Sequence, residues 1–383
     1  MSNAHDGQQT PTTSPTADEF AQRLLDAVLG AQFVQAAYLG DRLGYYRALA
    51  ASGPLTPPEL ATRTGTAERY AREWLEHQAV SGVLTVDDQA AAPEERRFEL
   101  PAGPAESLTD TTSPAHLLPL ARMVGGIGKC LDSLVEAYRS GDGVGWAEFG
   151  EDAREGQGGA NRPLFLGALP REYLPSIPDI EAVLSGGGRI ADVGCGVGWS
   201  SIGIALAHPD VTVDGYDVDA PSIDTARANA AEAGVADHVQ FYTTDVATVP
   251  GNYDLVTAFE CIHDMPDPVA VLAAMRRLAA PDGVVLVMDE NVAETFTAPG
   301  GDVERLMYGW SITCCLPDGL ATPGSVGTGT VMRPDTLRRY ATEAGFAGVD
   351  ILPVNDDFFR FYRLHPPSST TPEDSDEASR VHR

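Results

Sequence analysis

The chain holds a single lysine, Lys129, in 383 residues. Lysine and arginine together number 26 against 55 acids, for a formal charge of −29. Affinity for a phosphate backbone comes largely from basic side chains that displace counterions, so no nucleic-acid partner is expected. No apolar run reaches the roughly 18–20 residues of a membrane-spanning helix, and no membrane partner is expected either. The opening residues have neither a basic patch nor an apolar stretch of the secretory kind, which predicts a cytoplasmic protein. Cysteine is scarce: Cys130, Cys195, Cys261, Cys314 and Cys315 are odd in number, form no CxxC pair and have no histidine at a zinc-motif spacing. Buried free thiols are expected, with no disulfide framework and no structural zinc site.

What remains is an ordinary soluble composition, 43% hydrophobic, and enough length for two domains. Residues 1–17 and 366–383 are rich in Pro, Ser, Thr and acids, and both are expected to be disordered. From 18 to 39 apolar residues recur at helical spacing: Phe20, Leu24, Val28, Phe33 and Ala37. Helices follow at 43–51, 57–63 and 67–81, the last two with Thr56 and Thr66 as expected N-caps. A strand pair at 82–86 and 97–100 completes a winged-helix pattern. Such a unit either reads DNA or serves as a dimerisation and lid domain. The segment 18–100 carries 8 basic and 13 acidic residues. Its groove-entering helix sets Arg69 and Arg72 against Glu68, Glu73 and Glu76, which disfavours DNA. Residues 141–159 read as a glycine-rich linker, and the domain boundary is expected at 155/156.

Beyond residue 188 strands and helices alternate. Strands are expected at 189–193, 211–216, 239–242, 255–259 and 284–288, with helices between them. That alternation implies a Rossmann-like α/β fold, a parallel sheet covered on both faces. Two last strands, 349–353 and 358–363, are too closely linked to be parallel and predict a C-terminal antiparallel hairpin.

The first strand of this region runs into Asp192-Val193-Gly194-Cys195-Gly196-Val197-Gly198-Trp199. Glycines at a strand-to-helix turn let the backbone approach a ligand. A dinucleotide site needs G-x-G-x-x-G/A, and the third small position here is Trp199, whose indole would block close helix–strand packing. The second strand ends at Asp217, where a carboxylate can accept from both hydroxyls of a ribose; Asp219 is a second candidate.

The pattern D-x-G-x-G-x-G resembles the S-adenosylmethionine (SAM) motif of class I methyltransferases. The stretches GQGGANRP (156–163), ADVGCGVGWSS (191–201), YDVD (216–219), FECIHDM (259–265), VERLMYG (303–309) and VMRPDTLRRYA (331–341) resemble bacterial methyltransferases with a winged-helix front domain. The resemblance implies SAM as cofactor. It implies a site around Gly194, Cys195, Gly196, Gly198, Trp199, Asp217 and Val218. By the same resemblance Asp245 would accept from the adenine amine, Val246 would offer its backbone amide, and Asp192 would help place the methionine end. Glu260 is either a pocket acid or a plain strand-end carboxylate. The front domain also resembles that of small-molecule O-methyltransferases that dimerise through it, implying a homodimer. It leaves the methyl acceptor open, as it does the alternative of a SAM-binding regulator without catalysis.

Methyl transfer from a sulfonium needs alignment and exclusion of water, and an acceptor hydroxyl or amine must still lose a proton. Of the eight histidines only His263 falls at a crevice-side strand end. It is the expected base, with Asp264 beside it to orient or charge it. Asp289 and Glu290 end the fifth strand and keep a magnesium site open. Residues 289–333 form a long insert with an apolar helical stretch at 303–315. Met307, Tyr308, Trp310 and Cys314 there either form the pocket of a small, moderately hydrophobic acceptor or pack on the front domain. Arg333 either binds an acceptor carboxylate or caps a helix.

Overall fold

Runs such as Ile190-Ala191-Asp192-Val193, four residues buried in succession, expose neither face of their strand, which only a sheet covered on both sides permits. In the computed structural model, which describes residues 14–367, the chain divides into two compact units, up to Thr109 and from Asp110. The parts of the expected disordered tails at 1–13 and 368–383 lie outside the described residues. Thr16, assigned to the first tail, instead caps a helix.

In the first unit the helix Ala17–Arg42 starts on a capping box between Thr16 and Glu19. Helices Tyr45–Ser52, Pro57–Thr64 and Glu68–Val80 follow, then β1 (Thr85–Val86) and β2 (Phe98–Glu99), paired antiparallel. Thr56 caps its helix as expected, with Glu59 reciprocating. Thr66 does not: Ala67 is the N-cap, and the Thr66 hydroxyl is taken by Tyr45 at 2.9 Å. Tyr45, Tyr46 and Trp74 pack edge to face at the centre, and Tyr46 donates to the buried Gln78 at 2.7 Å.

In the second unit the presumed linker is helical. Trp146–Leu166 forms one run, kinked at Gly150, so the boundary expected at 155/156 falls inside a helix. Its glycines serve contact: a Cβ on Gly156 would lie 2.6 Å from the Met123 backbone nitrogen of the neighbouring helix Leu118–Gly128. The sheet comprises β3 (Arg189–Val193), β4 (Thr212–Asp217), β5 (Val239–Thr243), β6 (Tyr253–Phe259), β7 (Ala279–Glu290), β8 (Gly348–Ile351) and β9 (Phe359–His365). Its order is β5-β4-β3-β6-β7-β9-β8. The first five are parallel, and β9 lies antiparallel to both β7 and β8. Strand order reverses between β3 and β6, and a ligand crevice belongs at the carboxyl ends of those two strands. Among the described residues no helix is long and apolar enough to cross a membrane.

Candidate active site

The turn after β3 is held from below. Asp192 is buried and accepts from the Ser200 and Ser201 hydroxyls, each at 2.6 Å, and from Thr257 at 3.0 Å. Burial raises its pKa despite these bonds. Gly194, Gly196 and Gly198 all have positive φ, at 70°, 51° and 84°. They are used differently. A Cβ on Gly194 would meet the Cys261 sulfur at 2.7 Å, and one on Gly198 would meet the Phe241 ring at 2.5 Å. A Cβ on Gly196 would meet nothing within 4 Å. The outer glycines lock the turn onto β4, β5 and the loop after β6, while the middle one faces open space.

Asp217, at the end of β4, accepts the Gly196 N–H on Oδ2 at 2.9 Å and the Asp219 N–H on Oδ1 at 2.9 Å. Burial raises its carboxyl pKa. Cys195 is buried against Gly215, and Val218 is 74% exposed on the rim. Trp199 opens the helix Trp199–Ala207, with the Arg162 guanidinium 4.3 Å above its ring. Asp245 is exposed and caps the turn Val246–Thr248 through the Ala247 N–H at 2.8 Å, while Val246 is buried. Asp219 caps the next helix and faces Arg154.

The turn after β6 carries the second half. Glu260 has φ 55°, left-handed for a residue with a side chain, a strain that clusters at functional sites. Gln157 and Asn161, one turn apart on Trp146–Leu166, donate amides to its Oε2. Burial pushes its pKa up to about 7. His263 follows in the 3₁₀ turn Ile262–Asp264 and is buried. Its Nδ1 lies 3.0 Å from Asp289 Oδ1 and 3.1 Å from Glu290 Oε2; its Nε2 lies 3.3 Å from Asp264 Oδ1.

Burial disfavours a charged imidazole, but Asp264, Glu290 and Asp289 outweigh it and hold His263 well above its ordinary pKa. Burial also opposes charge on Asp289, yet His263 and its hydrogen bonds bring this carboxyl below its usual range. An ionised Asp289 only accepts, so Nδ1 carries the proton between them. Burial raises Glu290 strongly, and raises Asp264 as well. Asp318, which accepts the Trp146 N–H at 2.7 Å, is pushed by burial to about 7.

The insert residues divide. Met307 is buried and Tyr308 is 39% exposed on the helix Asp302–Trp310. Trp310 and Cys314 pack into an apolar cluster with Met123, Ile127 and Phe149, all of the second unit, rather than lining open space. Arg333 is taken: it pairs with the buried Glu304 at 2.6 Å and donates to the Ala293 carbonyl. It ties the insert to the start of Pro334–Glu343, which leaves no free guanidinium for an acceptor carboxylate. The sequence alone had not linked Asp289 or Glu290 to His263, or Gln157 or Asn161 to Glu260. A signal existed for the first two: Phe259 pairs with Met288 in the sheet, so the residues following each strand must meet.

A parallel sheet reversing at β3/β6, closed by an antiparallel hairpin and carrying this glycine turn, defines the class I methyltransferase fold. The comparisons agree. The family described as Methyltransferase domain matches residues 184–313, and the Rv2258c-like winged HTH domain matches 33–110. A ubiquinone biosynthesis O-methyltransferase of Thiobacillus denitrificans is 35% identical over 191 residues, which are 49% of this chain and 76% of the relative. In eight curated relatives the matched share of the relative's own length runs from 24% to 76%. Among solved structures, mitomycin 7-O-methyltransferase superposes with a TM-score of 0.67 at 21% identity, over 91% of this chain and 99% of that one. Human N-acetylserotonin methyltransferase, solved with SAM, gives 0.65 at 19% identity over 93% and 100%.

The chain belongs to the methyltransferase family, with SAM as its cofactor. The cleft suits that group: the bare face of Gly196 leaves room for it, beside the carboxylate of Asp217.

Proposed function

We propose that this protein methylates a hydroxyl oxygen of a small, moderately hydrophobic acceptor, with His263 as general base. The carrying observation is the buried imidazole of His263, on the turn after β6 that packs against Gly194, anchored at Nδ1 by Asp289 of β7. The O-methyltransferase names of the relatives support oxygen as the target.

SAM, when bound, supplies a methyl group on a sulfonium that already leaves readily. The residues bind and align. Asp217 accepts from the ribose hydroxyls while steadying Gly196. Asp245 and the Val246 backbone amide take the adenine edge, with Val218 against the ring. Asp192 holds the turn over which the methionine end lies, and Cys195 and Trp199 support that turn. Glu260, fixed by Asn161 and Gln157, is the pocket acid facing the methionine amino group. Met307 and Tyr308 contribute to the acceptor wall.

Proton removal follows from the charges around His263. With Nδ1–H pointed at Asp289, Nε2 is the basic atom, and Asp264 stands beside it. An acceptor hydroxyl entering at Nε2 displaces Asp264. Loss of that contact lowers the imidazolium pKa and frees the lone pair to take the hydroxyl proton. Release of S-adenosylhomocysteine with phenolic acceptors, with the product identified as a methyl ether by mass spectrometry, is the expected result. Methylation of amines alone would sink the oxygen assignment.

The first unit serves as a dimerisation domain in this reading. Its helix Ala17–Arg42 exposes Phe20, Leu24, Leu25, Val28, Leu29 and Phe33 by 40–58%, a stripe matched to a second copy. DNA is disfavoured because Arg69 pairs with Glu73 and Arg72 with Glu68 on Glu68–Val80. Light scattering is expected to give a dimer, and Leu24→Glu with Val28→Glu a monomer.

A further inference from the structure

The Nε2 side of His263 gathers more than a base needs. The Cys315 thiol comes close to both His263 and Asp264. One ligand atom from each of the three lies within 4.8 Å of the others. Ligands at about 2.0–2.3 Å from a tetrahedral zinc ion stand about 3.5 Å apart, so a small closure would complete the set. Cys315 reaches this point because the helix Asp302–Trp310 widens into the π-helical turn Ser311–Cys315, a distortion common at functional sites.

The charge is also unbalanced. Asp289 Oδ2 is buried with no partner, and Asp264 Oδ1 and Glu290 Oε2 have only the single imidazole of His263, at 3.3 and 3.1 Å. Buried carboxylates are normally paired or metal-bound. His263, Asp289 and Glu290 form a second cluster on the Nδ1 side, but all three are at most 3% exposed. The Asp264 side chain keeps 35% exposure, which gives an ion a way in on the Nε2 side.

We propose that His263 Nε2, Asp264 and Cys315 form a binding site for a thiophilic divalent cation, Zn²⁺ being the member best matched to imidazole, carboxylate and thiolate. Binding displaces the thiol proton, and any proton on Nε2, to water. The ion then holds the lone pair that methyl transfer requires and occupies the place of the acceptor hydroxyl. Zn²⁺ is therefore an inhibitor competitive with acceptor. The inhibition rests on His263 being the base; the binding does not.

Titration of the full chain with Co²⁺, without acceptor, tests the site through thiolate-to-cobalt charge-transfer absorption in the near ultraviolet. The wild type is expected to show the band at one equivalent, Cys314→Ser to keep it and Cys315→Ser to lose it. Calorimetry with SAM checks that both variants are folded. No band in the wild type, or a band surviving in Cys315→Ser, overturns the proposal. In turnover, Zn²⁺ should raise the apparent KM for acceptor reversibly by chelator. Cys315→Ser should turn over normally without Zn²⁺ and need more than about tenfold more of it for inhibition, since even outer partners of a metal cost that much. Equal inhibition of both proteins overturns the competitive role. If His263→Ala keeps metal-free turnover while the wild-type band is present, the base assignment fails and the metal site stands.

Discussion

The glycine turn after β3 and the histidine turn after β6 stand on adjacent strands, yet they are held in different ways. The first is secured by its own surroundings: Ser200, Ser201 and Asp217 lie within about one strand and helix of Gly196. The second draws on Gln157 and Asn161 from an earlier helix and on Asp289 and Glu290 from β7. The first half is a preorganised backbone cradle with carboxylates at its rim. The second is a crowd of acids around one cation, where each proton depends on the others. Affinity for cofactor should therefore belong to the first half and turnover to the second.

The sharpest way to break that division is His263→Ala. It should lower kcat by roughly 10²–10⁴-fold, the range for a lost general base, while calorimetry shows SAM bound as in wild type. A parallel loss of SAM affinity would mean the two halves are not separable. Asp217→Ala should do the reverse. Losing hydrogen bonds from a charged acceptor costs about 1.5–3 kcal/mol, or roughly ten- to a hundredfold in SAM affinity, with kcat at saturation little changed. An unchanged dissociation constant would remove Asp217 from the ribose.

Asp264→Asn reads the charge crowding directly. Asp264 is the leading cause that raises the His263 pKa, opposing burial. The base is competent only when neutral, so the ascending limb of kcat/KM in wild type should lie above the ordinary imidazole range. Without the Asp264 anion the imidazolium is less favoured, and the limb should move to lower pH. A limb that stays in place would show that another group titrates. The smallest effect is expected of Asn161→Ala, a few-fold loss at neutral pH. Glu260 loses a donor that favours its ionised form, so its pKa should rise from about 7 and SAM affinity should become more dependent on pH. A pH-independent affinity in that variant would separate Glu260 from the cofactor.

Legibility followed the same divide. The turn, its three glycines and Asp217 could be read because a cofactor loop is a local object, with fixed spacing along one strand, turn and helix. His263 was reachable by elimination among histidines, but its partner was not. Asp264, adjacent in sequence, was the expected orienter, whereas Asp289 takes Nδ1 and Asp264 takes Nε2. Arg333 looked available to a ligand because its partner Glu304 sits on an insert whose path no periodicity reveals. The glycines at 141–159 looked like a linker, since composition does not distinguish a flexible stretch from a helix pressed close to its neighbour, as Gly156 is against Met123.

Local chemistry along the chain was enough to define the α/β alternation, the closing hairpin and the cofactor turn, because hydrogen-bonding period and steric freedom act between near neighbours. The protonation of His263, the grip on Glu260 and the meeting of Cys315 with the acid cluster were decided only by folding. Those properties depend on which distant side chains share a small volume from which water is excluded, and there the field of one carboxylate reaches the next.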